Sequence, residues 1–161
     1  MYYSTDYISP IGRMLILSDG ESICGVWFYG QKHFLSSING EIIERDDLAI
    51  FKKVKIWFDD YFEGLNPKIN FELNPQGTDF RCRVWKILSQ IPYGKTVTYG
   101  EIALKLSNRM SAQAVGQAVG HNPISIIIPC HRVVGSNGEI TGYAGGIDRK
   151  IALLKLEKIY I

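Results

Sequence analysis

The sequence predicts an α/β (α+β) chain of two lobes in series: an N-terminal antiparallel sheet carrying a helix, then a mostly helical lobe. Three observations predict this. Runs rich in β-branched and aromatic residues alternate with turn signals from Tyr2 to Tyr29. Two clusters of breakers, Asn66-Pro67 and Asn74-Pro75-Gln76-Gly77, interrupt the middle of the chain. Beyond them, capping residues followed by apolar side chains at helical spacing take over. The division falls near residue 76, giving lobes of residues 1–75 and 76–161.

Taken in order, Tyr2 to Ile8, Arg13 to Ser18 and Ser22 to Tyr29 are short strands separated by Ser9-Pro10-Ile11-Gly12 and Asp19-Gly20, which predicts an antiparallel meander. Asn39-Gly40 marks a further turn. Asp46 or Asp47 offers an N-cap for a helix with Leu48, Phe51, Val54, Phe58, Tyr61 and Phe62 on one face, and Gly64 stands where a C-terminal cap belongs. An aromatic stripe at that spacing is more often core than a stacking platform, so it is assigned to packing on the sheet. Lys68 to Leu73 reads as a short extended piece between the lobes.

Thr78 or Asp79 caps the next helix, which carries Phe80, Val84, Ile87, Leu88 and Ile91 and stops at Pro92-Tyr93-Gly94. Thr98-Tyr99-Gly100-Glu101 has the spacing of a capping box ahead of Ile102 to Leu106. Ser107 to Met110 turns the chain into Ser111 to Gly120, a helix-turn-helix pattern. Ala112, Ala114, Gly116 and Ala118 make the second helix slim. Glycine inside a helix costs about 1 kcal/mol relative to alanine, so a close approach is implied, either by a neighbouring helix or by a ligand. Asn122-Pro123 ends that helix, Ile124 to Ile128 reads as a buried strand, and Ser136-Asn137-Gly138 turns a hairpin between Val133-Val134 and Ile140. Gly142 to Gly146 is a glycine-rich loop, and a last helix runs from about Asp148 to Ile159.

At 161 residues the chain buries roughly 70% of its unfolded surface and needs no covalent staple. A net charge of +2 does not announce a nucleic-acid binder, so any such binding rests on local patches. Cys24, Cys82 and Cys130 are odd in number and form no Cys-x-x-Cys, which argues against a disulfide framework and a zinc knuckle. With no signal-peptide pattern at Met1 to Asp6 and no apolar run long enough to cross a bilayer, a cytoplasmic location is expected.

Chemistry concentrates at Ile126-Ile127-Ile128-Pro129-Cys130-His131-Arg132-Val133. A free cysteine is usually one more small buried hydrophobe. Here His131 and Arg132 adjoin it and are expected to depress its pKa, since a thiolate is the better nucleophile. A Cys-His pair alone fits both a hydrolase and an alkyl acceptor. Glu157 shares the apolar face of Leu153 and Leu154, where an ionised carboxylate is costly unless paired; Lys150 and Lys158 are its nearest candidate partners.

Pro129-Cys130-His131-Arg132-Val133 resembles the Pro-Cys-His-Arg-Val signature of the O6-alkylguanine-DNA alkyltransferases. Asn122-Pro123, Gly142-Tyr143-Ala144-Gly145-Gly146 and Glu157 extend the resemblance in the expected order, densely over residues 78 to 159. It implies a ribonuclease-H-like first lobe and a winged-helix-like second lobe. It implies single-turnover, irreversible transfer of the alkyl group of O6-alkylguanine, and of O4-alkylthymine, from duplex DNA to Cys130 after the base is flipped out, by a monomer with no cofactor and no metal. By the same resemblance Glu157 orients His131, and His131 draws the Cys130 proton through a water. Tyr99 serves the guanine ring nitrogen. Asn122 steadies the helix junction and the Tyr99 region, the carbonyls of Cys130 and Val133 accept from the exocyclic amine, Tyr143 stacks on the base, and the Ala144 N–H meets O6. DNA contacts fall to Asn108, Ala112, Gln113, Ala114, Gly116, Gln117 and Ser136.

Two residues depart from the family pattern. Ala144 replaces a frequent serine, but the contact inferred there is a backbone N–H. Gln113 stands where the family usually has an arginine that fills the gap left by the flipped nucleotide, and Arg109 is an alternative for that role. Three other readings remain: an alkyltransferase-like damage sensor, a transcription regulator built on the helix-turn-helix, and a cysteine hydrolase. Sensors of that kind lack the cysteine, whereas Cys130 is present.

Overall fold

The computed structural model describes residues 1–106 and 111–159, so Asn108 and Arg109 lie outside the described residues. Strands β1 (Tyr2–Ser9), β2 (Gly12–Ser18) and β3 (Ser22–Phe28) form the expected antiparallel meander. The sheet as a whole is mixed. Strand β4 (Ile42–Glu44) joins β1 in parallel and β5 (Glu72–Leu73) joins β3 in parallel, giving the order β4-β1-β2-β3-β5. These edges are too short to announce themselves, and the chain reaches them by crossing over the sheet, which parallel pairing requires.

Both faces of β2 are buried. Met14 and Ile16 face helix α1 (Ala49–Phe62), while Leu15 and Leu17 face a second cluster with Trp27, Phe34, Leu35 and Ile38. The turn-rich segment between β3 and β4 therefore covers the far side of the sheet. The α1 stripe is core, as its spacing predicts: Phe51, Val54 and Phe58 are fully buried. Its N-terminus differs from expectation. The N-cap is Leu48, with no side-chain cap, because Thr5 donates to Asp46 (2.6 Å) and Arg45 holds Asp47. At the C-terminus Gly64, at φ 88°, donates to the Tyr61 carbonyl and Leu65 donates to that of Asp60, a Schellman motif.

Helix α2 (Asp79–Leu88) starts at Thr78, whose hydroxyl accepts from the Arg81 N–H. Val84, Trp85 and Leu88 are its buried face, and the Trp85 indole donates to the Ala118 carbonyl at 2.8 Å. Strand β6 (Val97–Thr98) leads into α3 (Tyr99–Lys105), capped by Thr98, and Ser111 caps α4 (Ala112–Gly120). Strand β7 (Val133–Val134) pairs in parallel with β6, so the hairpin expected between Val133-Val134 and Ile140 is replaced by a tight turn closed by Gly135 N–H on the Glu139 carbonyl. Helix α5 (Ile147–Leu156) ends earlier than expected, with Glu157 as its C-cap.

Ile124 to Ile128, expected as a buried strand, is a chain of turns. Only Ile124 bridges β3, through Val26, and Ile126 adopts φ 70°. The Val26 N–H donates to the Pro123 carbonyl and Ser125 N–H to that of Val26. An apolar run requires burial, which this segment has, but not an extended backbone. One cluster of buried side chains thus runs from Met14 and Phe28 through α1 and α2 to Cys130 and Leu153.

Candidate active site

Cys130 opens a 3-10 turn, Cys130–Arg132, and is 6% exposed. Asn122 sets that turn. Its Nδ2 donates to the carbonyls of Ile124 (3.3 Å) and Ile128 (2.8 Å), and its Oδ1 accepts from the Ile124 N–H. The Ile124 N–H has no other partner, while the Ile124 and Ile128 carbonyls also accept from the N–H groups of Ile128 and Cys130, so Asn122 ties together a segment with no regular structure. Asn122 forms no direct hydrogen bond to Tyr99 among the described residues; its bonds are to the segment that leads into the Cys130 turn.

His131 is fully buried, with Nε2 at 2.6 Å from Glu157 Oε2. Glu157 also accepts from Tyr61 O–H (2.6 Å), Arg132 Nε (2.8 Å) and Nη2 (3.1 Å), and the Gly94 N–H (3.0 Å). Burial pushes its carboxyl up, but the His131, Arg132 and Tyr61 hydrogen bonds overcome this and hold it at about 2. An ionised carboxylate this rich in donors fixes a proton on His131 Nε2 and leaves Nδ1 as the ring's basic atom. Nδ1 is buried and has no hydrogen-bond partner among the described residues. Burial keeps the imidazole below its ordinary pKa despite Glu157, so it is neutral and able to accept a proton.

The expected depression of the Cys130 pKa is not found. Burial raises it, with Asn122 and Lys150 pulling the other way. Sequence adjacency misleads here because the Arg132 charge is consumed by Glu157 and His131 is uncharged. Cys130 rests as a thiol and needs a base at the moment of reaction.

In the sequence Lys150 reads only as a partner for Glu157. It is instead fully buried beside the cysteine turn, where Nζ donates to the Val133 carbonyl (2.6 Å), Thr141 Oγ1 (3.1 Å) and the Gly142 carbonyl (3.4 Å). Burial lowers its pKa to about 8. Thr141 Oγ1 also lies 2.8 Å from Tyr99 Oη. As Lys150 must donate to it, Thr141 can pass its own proton toward the phenol and leave the Tyr99 hydrogen free for a ligand. Arg132, Tyr61, Lys150 and Thr141 carry no local sequence signal for these roles, since each acts through a partner distant in the chain.

A cavity of about 250 Å³ opens over Cys130, lined by Tyr99, Gly116, Tyr143 and Ala144 among others. The Tyr143 hydroxyl is buried without a hydrogen-bond partner among the described residues. Its ring lies against Gly145, where a Cβ would come within 2.7 Å of it, so only glycine fits there. A groove beside the cavity is lined by Ala112, Gln113, Gly116 and Gln117, and Tyr99 borders both. A Cβ on Gly116 would meet nothing closer than the Tyr99 ring at 3.9 Å, and on Gly120 nothing within 4 Å. The α4 glycines are therefore not demanded by internal packing; they keep the groove face open. Ala114 is half-buried with its N–H on Ser111, Val133 is buried, and Ser136 is exposed in the 135–139 turn; none of the three lines either space.

Among the described residues no group of three or more His, Cys, Asp and Glu is placed to hold a metal ion, and no helix is long and apolar enough to cross a membrane. Residues 1–75 match the family model described as 6-O-methylguanine DNA methyltransferase, ribonuclease-like domain, and residues 79–159 match that family's DNA binding domain. The chain is 47% identical to a Haemophilus influenzae methylated-DNA--protein-cysteine methyltransferase, over 98% of this chain and 87% of that one. It is 43% identical to a protein of the same name from Methanosarcina acetivorans, over 98% of each. The structure of Mycobacterium tuberculosis OGT in complex with DNA superposes with a TM-score of 0.86 at 42% identity, covering 98% of this chain and 92% of that one.

Proposed function

The chain belongs to the 6-O-methylguanine DNA methyltransferase family, and from that premise and the Cys130 site we infer that it repairs O6-alkylguanine in duplex DNA by moving the alkyl group to Cys130. The observation that carries this reading is a buried cysteine at the floor of a small cavity beside the α4 groove, next to a neutral His131 held by Glu157. Chemistry on a stacked base requires its extrusion, and the groove leads to a cavity that can receive one.

In the reaction His131 Nδ1 takes the Cys130 proton through a water, and the sulfur attacks the alkyl carbon. The carbon–O6 bond breaks, its electron pair passes into the guanine, and Tyr99 supplies a proton to the ring nitrogen. His131 then releases its proton to solvent and Tyr99 regains one from it, so the net proton transfer is from thiol to guanine. Lys150 offsets negative charge on sulfur as it forms, and Asn122 holds the turn that aims it. The product thioether has no route to hydrolysis, so each molecule turns over once. Tyr143 and Ala144 hold the base, and α4 meets the DNA. Incubation with duplex carrying one O6-methylguanine should add one methyl to Cys130, read by intact mass and peptide mapping, with a stoichiometry of one. No mass gain, or catalytic turnover, overturns the reading.

Gln113, exposed near the start of α4, takes the place of the family's intercalating arginine. Extrusion costs a few kcal/mol, which an inserted planar cation offsets better than an amide. Gln113→Arg should speed repair of duplex DNA by about threefold to tenfold, with a much smaller effect on a free-base O6-benzylguanine analogue that needs no extrusion. Single-turnover rates on the two substrates measure it. If Gln113→Arg gains nothing while Arg109→Ala selectively loses duplex repair, Arg109 holds the role.

A further inference from the structure

The cavity over Cys130 and the α4 groove share a wall that belongs to the N-terminal lobe. Buried Gln31 accepts from the Phe28 N–H (2.8 Å) and donates to the Lys32 carbonyl (3.1 Å), while the Lys32 N–H donates to the Ala144 carbonyl (3.3 Å). The backbone at 31–32 is thus pinned between the end of β3 and the glycine-rich loop. His33 follows at φ 61°, a left-handed value that is uncommon outside glycine. That turn lays its ring on His121, the C-cap of α4, with centroids 3.8 Å apart and planes 28° apart. Lys32 lines the cavity, His121 the groove and His33 both.

Stacked imidazoles repel once both are charged, so a pair held this way at a rim is suited to an anion. The His121 Nδ1 lies 2.7 Å from the Gln117 carbonyl, which only accepts, so that nitrogen carries a proton, and Nε2 donates to an anion only when it is protonated as well. The groove residues of α4, Ala112, Gln113, Gly116 and Gln117, carry no charge. A nucleotide that swings its base toward Cys130 must carry its phosphates across this rim, where these neutral side chains cannot match them. Resting on the alkyltransferase reading, we propose that Lys32, His33 and His121 form a phosphate-binding wall that holds the backbone of the flipped nucleotide.

Among the described residues the titratable groups bearing on His33 are His121 from the end of α4, Arg81 from α2 and Lys32 of its own loop, and none is acidic. Burial first, and then these basic groups, hold the His33 imidazole below its ordinary value. A phosphate reverses that preference, so DNA binding takes up a proton. Affinity is then highest at low pH and is lost as pH rises through the bound-state pKa. A rise of one unit on binding is worth about tenfold in affinity.

The test uses the full chain, with Lys32→Ala, His33→Asn, an asparagine being tolerant of left-handed backbone, and Lys52→Ala on the exposed face of α1 as a charge-loss control. Duplex affinity is measured against salt and between pH 6 and 8, and transfer is measured on duplex O6-methylguanine and on free-base O6-benzylguanine. Lys32→Ala should lower the salt slope by about one, the signature of a lost phosphate contact. Both wall variants should reduce the ratio of duplex to free-base rates by about tenfold, in line with a lost contact of this kind, and His33→Asn should flatten the pH dependence. If both variants match Lys52→Ala in slope, ratio and pH profile, the wall is refuted while the alkyltransferase reading stands. A parent protein that alkylates with neither substrate overturns both.

Discussion

Cys130→Ser should keep duplex binding and lose transfer, by a factor on the order of 10⁶, as when a nucleophile is removed from an enzyme whose other groups act through it. The argument is specific to this site. Burial raises the Cys130 thiol above its ordinary pKa, so even the native nucleophile is made at the moment of reaction by His131, and a hydroxyl is far harder for the same base to ionise. The α4 groove does not depend on the sulfur, so binding of O6-methylguanine duplex should be within a few-fold of the parent. Serine places a hydroxyl in a site 6% exposed, and an uncompensated buried hydroxyl costs about 1–3 kcal/mol. A thermal melt run beside the transfer assay separates that loss from lost chemistry. Stoichiometric transfer by the serine variant would remove Cys130 from the reaction. The same geometry sets a pH limb for the parent: His131 must be neutral, and burial holds its pKa below the ordinary value, so transfer should persist below pH 6.5 and fall only once that lowered pKa is reached.

Local pattern in the sequence reaches the meander, the α1 core stripe, the caps at Thr78 and Thr98, and the C-terminal Gly64, because each is decided within a few residues. It fails where the deciding partner is far away or is a single side chain that no periodicity records. The run Ile126-Ile127-Ile128 announces burial, but its conformation is decided by the nearby Asn122 amide and by distant β3, which takes one bridge and no more. The edges β4 and β5 are three and two residues long, and their parallel pairing is imposed by crossovers that no periodicity records.

The site divides in the same way. Cys130, His131 and Glu157 are identifiable from their motif, and the structure brings His131 and Glu157 into direct contact. Arg132 is adjacent in sequence to the cysteine yet serves the glutamate 25 residues on, and Tyr61, read as core, reaches the same carboxylate from 96 residues away. Lys150 has the reverse history: a plausible surface partner for Glu157 in the sequence, it is buried against the cysteine turn. Its conversion from a solvated lysine to one near pKa 8 follows from burial alone, which residue type cannot reveal.

Glu157→Ala should destabilise the protein by about 3–5 kcal/mol, the usual cost of orphaning one partner of a buried ion pair. Removing the carboxylate leaves the Arg132 side chain, 10% exposed, with the Ile91 carbonyl (2.7 Å) and the Tyr93 ring, strands the Gly94 N–H, and leaves the Tyr61 hydroxyl and the His131 Nε2–H only a long 3.4 Å contact with each other. Domains of this size have about 5–15 kcal/mol in all, so the variant should melt far below the parent. Titration gives a second estimate. The Glu157 carboxyl falls from 4.5 to about 2 on folding, which corresponds to about 3 kcal/mol by linkage. Because the folded pKa is the depressed one, this stability is fully present above about pH 4.5 and is lost as pH falls through about 2. Glu157→Gln keeps the shape and removes the titration, so chemical denaturation of parent and glutamine variant at pH 7, 4 and 2.5 isolates it. The gap between them should be largest at pH 7 and shrink toward pH 2.5. A gap independent of pH would mean that Glu157 holds the fold by packing and hydrogen-bond geometry and not by its charge.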